Sequence, residues 1–127
     1  MTDACAQPLP PQAREAIALF NAGDYYAQHD LLELLWAQTA DPVRELYRAI
    51  LQVGIAYYHI DGGNARGAHK MLRRALRWME TLPAVCQGVD VAGLKHDAEA
   101  ALRELRRVEG DLGAFDRSLM RPVRLLP

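Results

Sequence analysis

Apolar residues recur every three or four positions from Pro11 to Val108, broken by short clusters of Gly, Asn, Asp and Pro. That period is helical and predicts five helices. The first starts at the Pro10-Pro11 step and runs to about Ala22, with Ala16, Leu19 and Phe20 turned inward; Gly23 stops it. Asp24 is placed to cap the second, which runs to about Thr39. Asp41-Pro42 opens the third, which runs to about Ile60 with an apolar stripe of Val43, Leu46, Tyr47, Ile50, Val53, Gly54 and Tyr57. Asp61-Gly62-Gly63 ends it, and Asn64 caps a fourth helix that runs to about Thr81 over Ala68, Leu72, Ala75, Met79 and Leu82. A loop from Leu82 to Asp90 leads to the fifth, from about Val91 to Val108, packing through Leu94, Ala98, Ala101, Leu105 and Val108. Strand alternation is absent. The expected fold class is all-α, a compact five-helix antiparallel bundle built on two helical hairpins. Residues 1–10 read as a flexible amino-terminal tail and 11–110 as a single all-helical domain. Residues 111–127 read as a carboxy-terminal strap, docking through Phe115, Leu119, Met120, Leu125 and Leu126.

A weak internal repeat lies at an offset of forty residues. Gly23-Asp24-x-x-Ala27-x-His29-x-Leu31-Leu32 matches Gly63-Asn64-x-x-Gly67-x-His69-x-Met71-Leu72. In each, a glycine ends one helix and Asp or Asn caps the next. Tetratricopeptide hairpins look similar, but their period is about 34 residues and they come in longer arrays. Capping chemistry alone can produce such a likeness.

The second helix carries the most distinctive polar residues. His29 and Glu33 are four apart and Trp36 is seven from His29, so all three lie on one stripe. Leu31, Leu32, Leu34 and Leu35 make the helix apolar nearly all round, which predicts burial. Buried His and Glu must be satisfied, by a structural hydrogen-bond network or by a ligand. If the second and third helices are antiparallel about a hinge near Ala40, Glu33 falls level with Tyr47 or Arg48 and His29 with Leu51 or Gln52. An ion pair from Glu33 to Arg48 or Arg44 follows. Gly54 should accept the close approach of Tyr25 or Tyr26, and His29 should bond to Gln52, a tyrosine or a carboxylate. Arg44, Arg48, Gln52, Ile55 and His59 trace one stripe on the third helix, but His59 lies about 12 Å beyond His29 along the axis. The plain reading of this stripe is a ladder of interhelix hydrogen bonds.

With 127 residues, half of them hydrophobic, the chain can bury a core of one domain's size. The net charge of −1 conceals an uneven distribution. Residues 1–43 hold six acids and one base, residues 44–80 seven bases and three acids, and residues 81–127 seven of each. Arg66, Lys70, Arg73 and Arg77, with Arg74 beside them, form a basic stripe on the fourth helix. With an overall balance near zero and no aromatic residue interleaved, a solvated face is the expectation and nucleic acid is not the expected partner. The two cysteines, Cys5 and Cys86, stand far apart without a Cys-x-x-Cys spacing and read as free thiols of a cytoplasmic protein. No apolar run approaches a membrane span. Ser118 is the only serine, so no Ser/His/Asp set arises, and no phosphate-loop glycine pattern is present.

Phe20-Asn21-x-Gly23-x-Tyr25-x-x-x-His29-x-x-x-Glu33-x-x-Trp36, then Gln52, then His59-x-x-x-Gly63-Asn64-x-x-Gly67-Ala68, resembles the family catalogued as domain of unknown function 309. The resemblance spans roughly residues 14–82. Gln28 and Asp30 stand where the family pattern leads us to expect Ala and Glu. It implies a small all-helical microbial protein and brings no established activity, although relatives have been labelled predicted metal-dependent hydrolases. A catalytic metal needs about three protein ligands, and His29 and Glu33 supply two. The function expected is therefore a non-catalytic binding or interaction module. Its constellation is His29, Glu33, Trp36, Arg48, Gln52 and His59, with no catalytic residue, metal or cofactor assigned. The alternative is a small metal-dependent hydrolase using His29 and Glu33. The expected partner is an unidentified protein or small ligand, with homo-oligomerisation left open and no membrane involved.

Overall fold

The computed structural model describes residues 3–127. Among them are five α-helices: α1 (Pro11–Asn21), α2 (Tyr25–Gln38), α3 (Arg44–Asp61), α4 (Ala65–Met79) and α5 (Val91–Arg107). Each packs against the next in the chain, most extensively α3 against α4. The fold is all-α, as the apolar period requires. Tyr47, Tyr57, Phe20, Ile17 and Leu32 are among the largest fully buried side chains of one continuous core.

The forty-residue repeat extends through packing as well as capping. Buried Ala13, Ala16, Ile17 and Phe20 of α1 correspond to buried Val53, Ala56, Tyr57 and Ile60 of α3. Buried Gln28, Leu32 and Leu35 of α2 correspond to Ala68, Leu72 and Ala75 of α4. The turns match too. Gly23 (φ 84°) and Gly63 (φ 78°) take the left-handed conformation that closes a helix. The following amide then donates back, Asp24 to the Leu19 carbonyl at 2.9 Å and Asn64 to the His59 carbonyl at 2.8 Å. The caps differ: Asn64 Oδ1 accepts from the Gly67 amide at 2.9 Å, whereas the Asp24 side chain makes no capping bond. The bundle thus holds two similar helical hairpins, α1–α2 and α3–α4, completed by α5.

Three expectations fail around the amino-terminal edge. Cys5 and Cys86 are joined in a disulfide, with Cα atoms 4.4 Å apart. Cys86 belongs to a two-stranded hairpin, β1 (Val85–Cys86) and β2 (Val89–Asp90), that was not read from the sequence. Strands of two residues are too short to show an alternation. Positive φ at Gln87 (50°) and Gly88 (78°) gives the turn the twist that suits such a hairpin. Gln87 also fastens the incoming chain. Its amide donates to the Cys5 carbonyl at 2.7 Å, its side chain donates to the Ala4 carbonyl at 3.0 Å, and it accepts from the Tyr47 hydroxyl at 2.8 Å. Residues 3–10 are therefore held against the bundle, with Leu9 buried. Met1 and Thr2, also part of the expected tail, lie outside the described residues. Pairing of the thiols removes the ground on which a cytoplasmic placement was expected, because disulfides persist mainly in oxidising compartments. Among the described residues no helix is long and apolar enough to cross a membrane.

The carboxy-terminal segment lies on the bundle through buried Phe115 and Val123, whereas Leu125 and Leu126, expected to dock, are exposed. Asn21 exchanges two hydrogen bonds with the Val123 backbone, at 3.0 and 2.8 Å. Arg121 and Arg124 reach the buried Asp97 carboxylate at 3.4 and 3.2 Å. Leu125 bridges to Val89, and the Leu126 amide donates to the Gly88 carbonyl.

Nearer α5, Arg107 donates to both oxygens of Glu104 at 2.6 and 2.7 Å, and the Asp116 amide adds a third bond at 2.9 Å. The Arg107 bonds first, then the amide, hold the Glu104 carboxyl down at about 2, from the ordinary 4.5. The folded pKa is below the unfolded one, so this contribution to stability is present above pH 4.5 and is lost as the pH falls towards 2. Glu104→Gln should therefore flatten the fall of melting temperature across that window. Equal slopes for wild type and variant would remove Glu104 from the acid response.

Candidate functional site

α2 and α3 present two short stripes to one another. His29, Glu33 and Trp36 of α2 and Arg48, Leu51 and Gln52 of α3 line a hollow of about 230 Å³. Five of the six residues singled out from the sequence meet there. The sixth, His59, lies elsewhere, in a separate depression with Tyr58, Asp61, Gly62 and Asn64. Its Nδ1 is 3.5 Å from the Asn64 side-chain nitrogen. The axial offset between His29 and His59 accounts for this separation.

The centre of the site is a cation between two indoles. The Arg48 guanidinium carbon lies 4.1 Å from the Trp36 ring centre and 4.4 Å from that of Trp78. Arg44 also lies over Trp36, at 5.2 Å. Each such contact contributes about 0.5–2 kcal/mol, more as water is excluded. The sequence reading missed Trp78. The Gly63 turn could have found it, since Arg48 stands fifteen residues before that turn and Trp78 fifteen after.

This cation–π stack replaces the expected ion pair. Glu33 does not pair with Arg48 or Arg44. It extends outward, its side chain 61% exposed, with Oε2 3.1 Å from His29 Nε2. Arg44 pairs with Glu45 instead, at 3.6 Å. The guanidinium groups lie against indole faces, which leaves Glu33 with the histidine one turn away. Nor is α2 buried all round. Leu34 is 57% exposed and Tyr26 55% exposed, so only Gln28, Leu32 and Leu35 are buried. His29 is partly exposed and bonded within its own helix, to Glu33 and, at 3.4 Å, to Asp30. The expected carboxylate partner is thus present, and the expected bond to Gln52 or a tyrosine is not. The His29 ring stacks on Tyr26 at 5.8 Å, and Tyr26 meets Tyr58 at 5.3 Å.

Gly54 accepts a close approach, though not from Tyr25 or Tyr26. A Cβ there would collide with the Gln28 amide and with Phe20 Cδ2. Gln28 is fully buried and donates to the Tyr25 and Leu51 carbonyls at 2.9 and 3.2 Å. A larger side chain at position 28 and a missing one at position 54 therefore belong together.

Three unsatisfied groups mark the site. Gln52 Oε1, Trp36 Nε1 and Trp78 Nε1 are buried without hydrogen-bond partners among the described residues. Arg48 likewise makes no ion pair or hydrogen bond there. The residues present do not fit a metal centre. His29 and Glu33 face one another, and among the described residues no group of three or more His, Cys, Asp or Glu is arranged to hold an ion.

Fold and site together define a bundle of duplicated helical hairpins with a side-chain-sized polar hollow between α2 and α3. The family described as "Domain of unknown function (DUF309)" matches residues 13–71, which cover α1 to α3 and the first half of α4. The motif resemblance holds over that segment. A curated relative from Aquifex aeolicus (strain VF5), named "Uncharacterized protein", is 26% identical over 90 residues. The match covers 70% of this chain and 27% of that protein, so the chain spans about a quarter of the relative's length.

Proposed function

We propose that this protein is a non-catalytic binding module that takes an acidic side chain of a partner polypeptide into the hollow between α2 and α3. The observation that carries this reading is Arg48. Two indoles hold its faces, and its N–H edge has no acceptor among the described residues. A guanidinium fixed in this way is prepared for a planar carboxylate, which it can meet with two parallel hydrogen bonds. The volume supports a side chain rather than a free metabolite. About 230 Å³ falls below the 300–1,000 Å³ of typical small-molecule sites. The His29–Glu33 pair at the rim offers polar contacts to the partner's backbone. The indoles supply the aromatic anchors typical of interaction hot spots.

Trp36 and Trp78 are the chain's two tryptophans, so tryptophan emission reports on the Arg48 stack. A peptide array probed with the protein should return sequences rich in Asp or Glu, and titration with those peptides should change the tryptophan emission. Arg48→Lys keeps the charge but loses the planar fork, and should weaken binding by about tenfold. Hits without acidic residues, or unchanged binding by the lysine variant, would overturn the proposal.

A further inference from the structure

Six of the chain's cations gather in a groove distinct from that hollow. Between α4 and α5 runs an open trough of about 800 Å³ lined by Arg66, Lys70, Arg73, Arg74, Arg77 and Arg106. All six side chains are exposed. None has a carboxylate partner among the described residues. The arginines that do make ion pairs are Arg44, Arg107, Arg117, Arg121 and Arg124. One acid, Glu80, lines the trough. The net charge of −1, which argued against a polyanionic partner, is an average over a molecule that gathers six of its 15 Lys and Arg residues along this trough. Local potential, not net charge, determines what docks there.

We propose that this trough binds the phosphodiester backbone of a nucleic-acid duplex without regard to sequence. Three features favour that occupant over an acidic protein or a single strand. From Arg66 to Arg77 the row is about 16 Å long at 1.5 Å per residue. Laid along the duplex axis, that length covers about five base-pair steps of 3.4 Å each. Five of the six cations are arginines, whose fork suits phosphate oxygens. The lining holds no Phe, Tyr or Trp, only the His69 imidazole, with Leu76 and Leu102 as apolar contacts. A single strand is usually held by stacking on aromatics, and a protein partner by buried apolar or aromatic anchors. A cationic trough whose one ring is the His69 imidazole fits backbone contact.

The test is fluorescence anisotropy of the full chain with a labelled 20-base-pair DNA duplex, the same sequence as duplex RNA, and poly-L-glutamate. At least one duplex should bind, and an unrelated sequence of the same type should bind equally. Neutralising four to six phosphates predicts an affinity loss of about 10²- to 10³-fold between 50 and 200 mM salt. Binding of one duplex and not the other supports the trough and identifies the sugar it tolerates. Arg73→Glu with Arg77→Glu should weaken binding at least about tenfold at low salt and reduce the salt slope by about two. Because neither residue has an ion-pair partner, the melt should be unchanged; if it is not, Arg73→Gln with Arg77→Gln tests the same direction. Arg14→Glu, on α1, should bind like the wild type. No duplex binding up to about 100 μM at 50 mM salt would overturn the proposal. So would binding indifferent to the Arg73 and Arg77 changes, or binding of poly-L-glutamate alone.

Discussion

Reduction of the Cys5–Cys86 disulfide should lower the stability of this protein by about 4 kcal/mol, the largest single effect we expect. The bond spans 81 residues of sequence, so its loss frees a long loop in the unfolded chain. In the chain-entropy description, a loop of that length gives about 4.5 kcal/mol, near the top of the usual range. For a domain of this size the melting temperature should fall by on the order of 15 °C. The native contacts around the bond give a second, local effect. Without it, the 3–10 segment is held mainly by the Gln87 bonds to Ala4 and Cys5 and by buried Leu9. Amides near Leu9 should exchange faster than those of α3. Thermal melts with and without reductant, with Cys5→Ser/Cys86→Ser as the irreversible counterpart, measure the first effect, and hydrogen exchange measures the second. A reduced protein that melts with the oxidised one would show that the bond contributes nothing to the fold. A protein of a reducing compartment would work without this contribution, so the size of the shift also bears on where it can function.

The helices were legible because each begins and ends on residues with a single physical use. Gly63 supplies the left-handed turn, Asn64 the cap, and the apolar spacing the inward face. The hollow was legible for a similar reason. Two antiparallel helices about a short hinge can be paired by counting, and counting brings His29, Trp36, Arg48 and Gln52 together. What counting does not give is how side chains choose between neighbours. Glu33 and Arg48 stand at the same level, yet the guanidinium lies between two indoles and the carboxylate turns outward. Leu34 looks like its neighbours in composition, but α2 packs through one face, and four leucines in five positions must place at least one outside. The disulfide was invisible for another reason. Cys5 and Cys86 are joined by the return of α3 and α4 and by a hairpin of four strand residues, none of which leaves a mark at either cysteine.

Gly54→Leu should cost about 3 kcal/mol and lower the melting temperature by about 10 °C. The new side chain would enter space already filled by Gln28 and Phe20. Even a Cβ would stand 2.8 Å from Gln28 Cδ and 3.1 Å from Phe20 Cδ2. Gln28 cannot easily yield, because it is fully buried and bonded to two carbonyls. The gain in helix propensity on replacing glycine, about 1 kcal/mol, is too small to offset the clash. The next helix pair, α4–α5, holds the opposite arrangement. Forty residues on from Gln28 and Gly54 stand Ala68 of α4 and Leu94 of α5, both buried. There the small residue is on the first helix and the large one on the second. Gln28→Ala combined with Gly54→Leu copies that arrangement. It also removes Gln28 Oε1, a buried acceptor without a partner among the described residues. Gln28→Ala alone should cost about 2 kcal/mol through a cavity and two lost hydrogen bonds. The double variant should return to within about 1 kcal/mol of the wild type. The two positions should therefore couple by several kcal/mol in a double-mutant cycle. If the costs simply add, positions 28 and 54 are independent, and the exchange of large and small residues between the α2–α3 and α4–α5 pairs has no energetic meaning.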